Sequence, residues 1–277
     1  HGMILPRHVF TTYNPSSPPE ASVQLAAVGT GPYRMVAYNT EDMLIIGDDM
    51  VNIVKIVYEA NPLFREPGKP YFHRLELQGG GDAMMAARAV LVEGISDFAW
   101  NLQTDPEQLV KMEAAGKGSL IPVPGAMVER ILLNRTDPNR ATETGERSSL
   151  RFLHPFFSDK KVRQAFAHAI DRQAIVALYG NTARPTTNIL VTPPNYNSPN
   201  TADLYPFDLT RAAALLDEAG WRDTNGDGIR DQNGLKLRVV FQTSVNPIRQ
   251  QIQTIVKKAL ESIGVEVELK FIDASVF

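Results

Sequence analysis

From Val162 onward, apolar residues return at three- and four-residue steps through Ala165, Phe166, Ala169, Ile170, Ala174 and Ala177, the spacing of one buried helix face. Ser158 stands before this run as an N-cap, Asp159 where the helix dipole favours a carboxylate, and Gly180 where a left-handed terminal residue belongs. A single helix is therefore predicted over 158–178. A second stripe, Ile248, Ile252, Ile255, Val256, Ala259, Leu260 and Ile263, follows an Asn246–Pro247 start and ends at Gly264. Shorter helices are predicted over 106–115 behind Asp105, after Gly79–Asp82 with Met85, Ala89 and Val92 on one face, and over 210–219 before Gly220. Alternating or β-branched runs predict strands at 33–38, 43–47, 73–78, 97–101, 127–133, 235–243 and 265–272. Residues 39–42 read as a hairpin turn, and the strand–helix–strand order from 73 to 101 predicts a parallel pair.

Between these elements lie proline-bearing loops at 14–21, 61–70 and 193–199. Residues 135–149 are polar and charged and read as a mobile surface loop. There is no internal repeat and no low-complexity tract. Helices on mixed sheets result, an α/β architecture.

Composition narrows the function more than the fold. A chain of 277 residues holds one large or two modest domains. Its hydrophobic share of 43%, charged share of 21% and net charge of -3 describe an ordinary soluble surface, without the basic stripe that tracks phosphates. Nucleic acid is not an expected partner. No apolar run is long enough to cross a bilayer, so this segment is not expected to insert directly into a membrane. The lack of cysteine removes disulfides, thiolate metal sites and cysteine nucleophiles together. His1 and Gly2 read as the remnant of a tag, and no leader-like basic region and apolar core follows them.

One segment carries metal-like chemistry. Asp223, Asn225, Asp227 and Asp231 place oxygens at positions 1, 3, 5 and 9 of an EF-hand-like calcium loop, with a glycine at position 6 and the Ile229 carbonyl at position 7. Position 12 is Gly234, so the closing bidentate carboxylate is missing. The competing reading is that Asn225–Gly226 and Asp227–Gly228 build tight turns. A structural calcium ion is thus the one candidate cofactor, and a calcium-binding structural module is the alternative function. His8, His73, His154 and His168 fall in different elements and at no ligand spacing. No nucleophile elbow, Ser-x-x-Lys or phosphate-cradling loop is present, which argues against an enzyme. Gly79–Asp82 before a helix could hold an anion, but a capped helix entry needs none.

The run Phe157-Ser-Asp-Lys-Lys-Val-Arg-Gln-Ala-Phe-Ala-His-Ala-Ile-Asp-Arg172, with Val28-Gly-Thr-Gly-Pro-Tyr33 upstream and Ala212-Ala-Ala-Leu-Leu-Asp-Glu-Ala-Gly-Trp221 downstream, resembles bacterial extracellular solute-binding family 5, the oligopeptide, dipeptide and nickel type of ABC-transporter binding protein. Ile4–His8, Asn61–Phe64 with Gly68–Tyr71, Gly94–Trp100 and Ile263–Leu269 match in the same order. The resemblance implies a periplasmic-binding-protein-like fold (type II, peptide-binding cluster) that is incomplete here. Part of the first lobe would span 3–124, and the N-terminal part of the second lobe 125–277. Family members are roughly twice this long, so the chain is expected to be an interior segment of a longer protein whose secretory or lipoprotein signal lies elsewhere. The function implied is capture of a peptide or similar small solute between two lobes and delivery to an ABC permease, outside the cytoplasm.

On that reading, ligand-facing positions lie at strand ends and in the crossover between lobes. Gly125, Ala126 and Met127 in the crossover, Gln242, Thr243 and Ser244 after the strand from Leu235, and Trp100 with Asn101 are the candidates. Each has a plainer alternative: Trp100 as a core aromatic, Met127 as a gap-filler, and 242–244 as the approach to a helix cap. The acidic residue that meets the ligand ammonium in peptide-binding relatives would lie beyond the position matched by Phe277.

Overall fold

The computed structural model describes residues 28–123, 125–192, 194–201 and 204–273. The expected tag remnant, the Ile4–His8 match, His8 and the 14–21 loop lie outside them. The chain divides into two compact units, one running to Leu102 and including Ala115–Gly118, the other comprising Gln103–Ala114 and the chain from Ser119 onward.

The first unit is an antiparallel meander packed on one helix. Strands β1 (Tyr33–Ile46), β2 (Asp49–Ala60) and β3 (Arg74–Gly79) lie in the order β1-β2-β3. The predicted turn at 39–42 is instead an irregularity within β1, where the register shifts between Asn39 and Asp42, and the chain reverses at Gly47–Asp48. Strand β2 falls outside the predicted elements; of its residues Ile53 and Val57 are buried, and helix α1 (Ala83–Leu91) follows β3. Ile46, Ile53, Val57, Ala87, Ala89 and Leu91 form the buried centre. Asp82 caps α1 by accepting from the Met85 N–H at 2.8 Å. Residues 97–101 form no strand, so the parallel pair predicted from 73 to 101 does not exist. Phe98 and Trp100 are exposed there, with no neighbouring strand to bury an alternating face.

The second unit opens with α2 (Pro106–Glu113), where Asp105 caps Glu107 as predicted. Residues 127–133 are irregular rather than a strand. Their alternation survives, with Ile131 and Leu133 packed against the core and Leu132 outside, but no partner strand lies alongside. The single helix expected over 158–178 is two: α3 (Lys160–His168) and α4 (Arg172–Ala177). Asp159, not Ser158, caps α3, and a second carboxylate, Asp171, accepts from Gln173 and Ala174 and restarts the helix. The apolar period runs through the break because Ala169, the C-cap of α3, is itself fully buried.

Helix α5 (Leu209–Glu218) follows, capped by Asp208, and then the short pair β4 (Asp231–Gln232) and β5 (Leu235–Lys236). The unit closes with β6 (Arg238–Ser244), α6 (Pro247–Glu261) and β7 (Glu266–Ile272), a strand–helix–strand unit with parallel pairing from Arg238–Glu266 to Ser244–Ile272. Phe156, Phe157, Phe166 and Trp221 pack edge to face at the centre of its core, beside Leu216, Leu237 and Val256. Gln253, on the buried face of α6, is completely inaccessible and donates to the Phe241 carbonyl at 2.7 Å and to the Lys270 carbonyl at 3.4 Å. One side chain thus touches both parallel strands.

Candidate functional site

The carboxyl ends of β6 and β7 are where an open α/β layer presents groups to a ligand, because strand ends and the first turn of the following helix leave polar atoms unspent. Gln242, Thr243 and Ser244 occupy the last turn of β6, opposite Lys270, Phe271 and Ile272. Gln242 is exposed, and the Ser244 hydroxyl accepts from Arg249 at 3.3 Å. Asn246 caps α6 by accepting from the Arg249 N–H at 3.1 Å, while its amide donates to Gln103 at 3.0 Å.

Arg249 joins this strand end to the crossover segment. Its NH2 group donates to Glu129 Oε2 at 3.2 Å. Its Nε lies 3.1 Å from Glu129 Oε1, yet is buried without an aligned hydrogen-bond partner. Tyr179 completes the group, its pKa pushed up to about 12 by burial first and by the neighbouring Glu129 carboxylate second. Two residues before Glu129, Met127 is 83% exposed, and Gly125 and Ala126 are exposed as well. Of the candidate residues, Ser244 joins the Glu129–Arg249 pair through Arg249, while Gly125–Met127 adjoin it along the chain, just before Glu129. Trp100, 76% exposed, and Asn101, at φ 57°, belong to the first unit.

Glu129, Tyr179 and Arg249 escaped the sequence reading. No spacing links residues so far apart, but one signal existed: Arg249 sits in the first turn of a helix, where the dipole disfavours a cation. A basic residue kept there has a partner elsewhere.

The 223–231 loop turns its acceptors on itself. Asp223 takes the N–H groups of Gly226 and Gly228 at 2.7 and 2.9 Å, Asn225 that of Asp227, and Asp227 that of Ile229. Lys236 Nζ reaches Asp227 at 2.6 Å and, with the Ile229 N–H, holds that carboxyl below its usual range. Asp231 is buried and accepts from the Thr224 hydroxyl at 2.7 Å. Among the described residues no group of three or more His, Asp or Glu side chains is arranged to hold a metal, and nothing in the loop favours calcium over the turn reading.

His154 is buried, and its Nδ1 accepts from the N–H groups of Phe157 and Phe156 at 3.2 and 3.4 Å. Burial pushes its pKa down while Asp137 pulls the other way. His168 is bound through Nδ1 to the Pro206 carbonyl at 2.8 Å. No described helix is long and apolar enough to cross a membrane.

Comparison with known proteins places this architecture. The sequence is 38% identical over 122 residues to the oligopeptide-binding protein AppA of Bacillus subtilis, covering 43% of this chain and 22% of the relative. It is 24% identical over 248 residues to the glutathione-binding protein GsiB of Escherichia coli, covering 89% and 40%. The solved structure of Bacillus subtilis AppA with a nonapeptide superposes with a TM-score of 0.63 at 25% identity, over 99% of this chain and 48% of that one. NikZ of Campylobacter jejuni with Ni(L-His) superposes with a TM-score of 0.72 at 22% identity, again over 99% and 48%, a likeness of fold. The chain thus spans less than half the length of these relatives and shares the type II periplasmic-binding fold with them. The profile of the bacterial extracellular solute-binding proteins, family 5 middle region, matches residues 3–277, and the chain belongs to that family.

Proposed function

We propose that this chain is part of the extracytoplasmic substrate-binding component of an ABC importer, which captures a peptide between two lobes and hands it to the permease. The family match across residues 3–277 carries the reading. The likeness to AppA, whose structure holds a nonapeptide, favours a peptide over a metal chelate. Gln242, Thr243 and Ser244 supply short polar side chains at a strand end, and Gly125–Met127 an exposed backbone. These groups suit a ligand held mainly through its main chain, with water filling tolerant side-chain pockets. The proposal includes no resident metal and no catalytic step.

The test uses the full-length protein, stripped of cargo by unfolding and refolding. Calorimetry with a mixed set of tetra- to nonapeptides, a nickel–histidine chelate and an oligosaccharide should give binding to the peptides alone. Native mass spectrometry of the protein as isolated should show masses that fragment as peptides. Tight binding of the chelate or the sugar, with none of the peptides, would refute the reading.

A further inference from the structure

Glycine follows asparagine only twice in the chain, at Asn225–Gly226 and at Asn233–Gly234. With no side chain on the second residue, the main-chain nitrogen of such a step can reach the asparagine side-chain carbonyl carbon and close a five-membered ring. Both steps are exposed, but their surroundings differ. At the first, the Gly226 N–H donates to Asp223 Oδ1 at 2.7 Å. The Asn225 side chain is held as well, accepting from the Asp227 N–H at 3.0 Å and donating to Asp227 Oδ2 at 3.3 Å. Ring closure there requires both contacts to break, and the Asp223 charge opposes loss of the Gly226 proton. At the second, Asn233 and Gly234 form the two-residue turn between β4 and β5, with φ of 53° and 80°. Among the described residues neither the Asn233 side chain nor the Gly234 N–H has a hydrogen-bond partner, and the space beside Gly234 is open. The ladder behind this turn consists only of the pairs Asp231–Lys236 and Gln232–Leu235, so opening the turn to the cyclising geometry costs little.

We propose that Asn233 is a site of spontaneous deamidation and isoaspartate formation, and that Asp223 keeps Asn225 from the same fate. The Gly234 nitrogen gives its proton to hydroxide and attacks Asn233 Cγ. The bond from Cγ to Nδ2 then breaks, and ammonia leaves with a proton taken from water. Water adds to either carbonyl of the resulting succinimide and opens it to aspartate or to β-linked isoaspartate. One water is consumed and one ammonia released, with no change of oxidation state. Either product puts a carboxylate where a neutral amide stood. The β-linked product also inserts a methylene into a two-residue turn, so the Gln232–Leu235 pair no longer closes in its original register. This modification does not depend on the transport reading above.

The experiment ages the folded 277-residue chain in mildly alkaline buffer made with heavy-oxygen water, then digests it with trypsin in ordinary water, so that only conversion before digestion carries the label. Trypsin places the two steps on separate peptides, Asp223–Arg230 and Asp231–Lys236, and mass spectrometry follows each. Methyl transfer by isoaspartyl methyltransferase identifies the β-linked product. Asn233 should accumulate both products, and Asn225 should convert at least about tenfold more slowly, the factor imposed by first breaking one hydrogen bond to a carboxylate. In urea, where the fold is lost, the two rates should converge. Asp223→Ala should speed conversion at Asn225 and leave that at Asn233 unchanged. An unreactive Asn233 in the folded chain, conversion of Asn225 at an equal or greater rate, or a rate ratio that urea does not change would each overturn the proposal. An unchanged Asn225 rate in a folded Asp223→Ala variant would overturn the role given to Asp223. Should that variant fail to fold, the comparison of the folded parent with the parent in urea decides.

Discussion

Thr224→Val and Asp231→Asn, made singly and together, test whether the 223–231 loop is held by its own hydrogen bonds or by a metal. The Thr224 hydroxyl reaches both Asp231 carboxylate oxygens, at 2.7 and 2.9 Å, and the Thr224 N–H reaches one of them at 3.1 Å. Valine keeps the shape and removes the hydroxyl, leaving an 8% exposed carboxylate with one fewer donor. A hydrogen bond to a buried charged group is worth about 1.5 to 3 kcal/mol, so Thr224→Val should cost about 2 kcal/mol. Asp231→Asn loses the charge but keeps one acceptor, at about 1 to 2 kcal/mol. The two changes remove the same contact, so the double variant should fall short of their sum by about 1 kcal/mol. For a unit of this size each kcal/mol lowers Tm by about 2–4 °C, well within reach of circular dichroism melting, with urea titration to give the free energies. Repeating the cycle with millimolar calcium or EDTA should change nothing. A calcium ion at a hundred times its Kd would add about 2.7 kcal/mol, too large to miss. Strict additivity, or a calcium-dependent rise in Tm that Asp223→Asn abolishes, would refute the reasoning.

Three further outcomes are expected. His154 must be neutral to accept from two N–H groups, and its folded pKa is depressed. Its contribution is therefore complete above the unfolded value of about 6.5 and is lost as pH falls below that toward the folded pKa. Tm should drop on acidification through that window, and His154→Asn, which keeps an acceptor but does not titrate, should flatten the slope; an unchanged slope counts against it. Gly264 stands at φ +86° with any Cβ 2.9 Å from Arg230 Cγ, and Arg230 is pinned to the Ile263 and Trp221 carbonyls. Gly264→Ala should cost about 2 kcal/mol or more in urea titration, whereas Gly226→Ala, at φ +79° in open space, should cost about 1 kcal/mol; equal costs would show that the close approach is unimportant. Finally, the 277-residue chain by itself should bind peptide weakly or not at all, because it spans under half its relatives' length, and micromolar or tighter affinity by calorimetry would contradict this.

Local signals in the sequence proved dependable where the physics is local. Asp82, Asp105 and Asn246 cap their helices because a short acceptor needs only the next turn's N–H groups, and Gly220 and Gly264 end two helices with left-handed backbone. Periodicity failed where two structures share one period. The stripe from Val162 to Ala177 looks the same whether α3 and α4 are one helix or two, since the break falls on a buried alanine. Alternation at 97–101 and 127–133 had no partner strand to make it a ladder, and at 39–42 polar residues that suggest a turn sit instead in a shifted register of β1. The Glu129–Arg249 pair joins positions 120 apart, a relation that only tertiary structure reveals.

The amide of Gln253 has a consequence for strand alignment. Were β7 to slide by one position along β6, Val265 and Val267 would swing away from the core, and the Lys270 carbonyl would leave the reach of that amide. A greasy side chain at position 253 would penalise only the first of these errors. The glutamine makes the neighbouring helix a gauge that distinguishes adjacent threadings, so that the second unit settles on one alignment of strands otherwise held by repetitive valines.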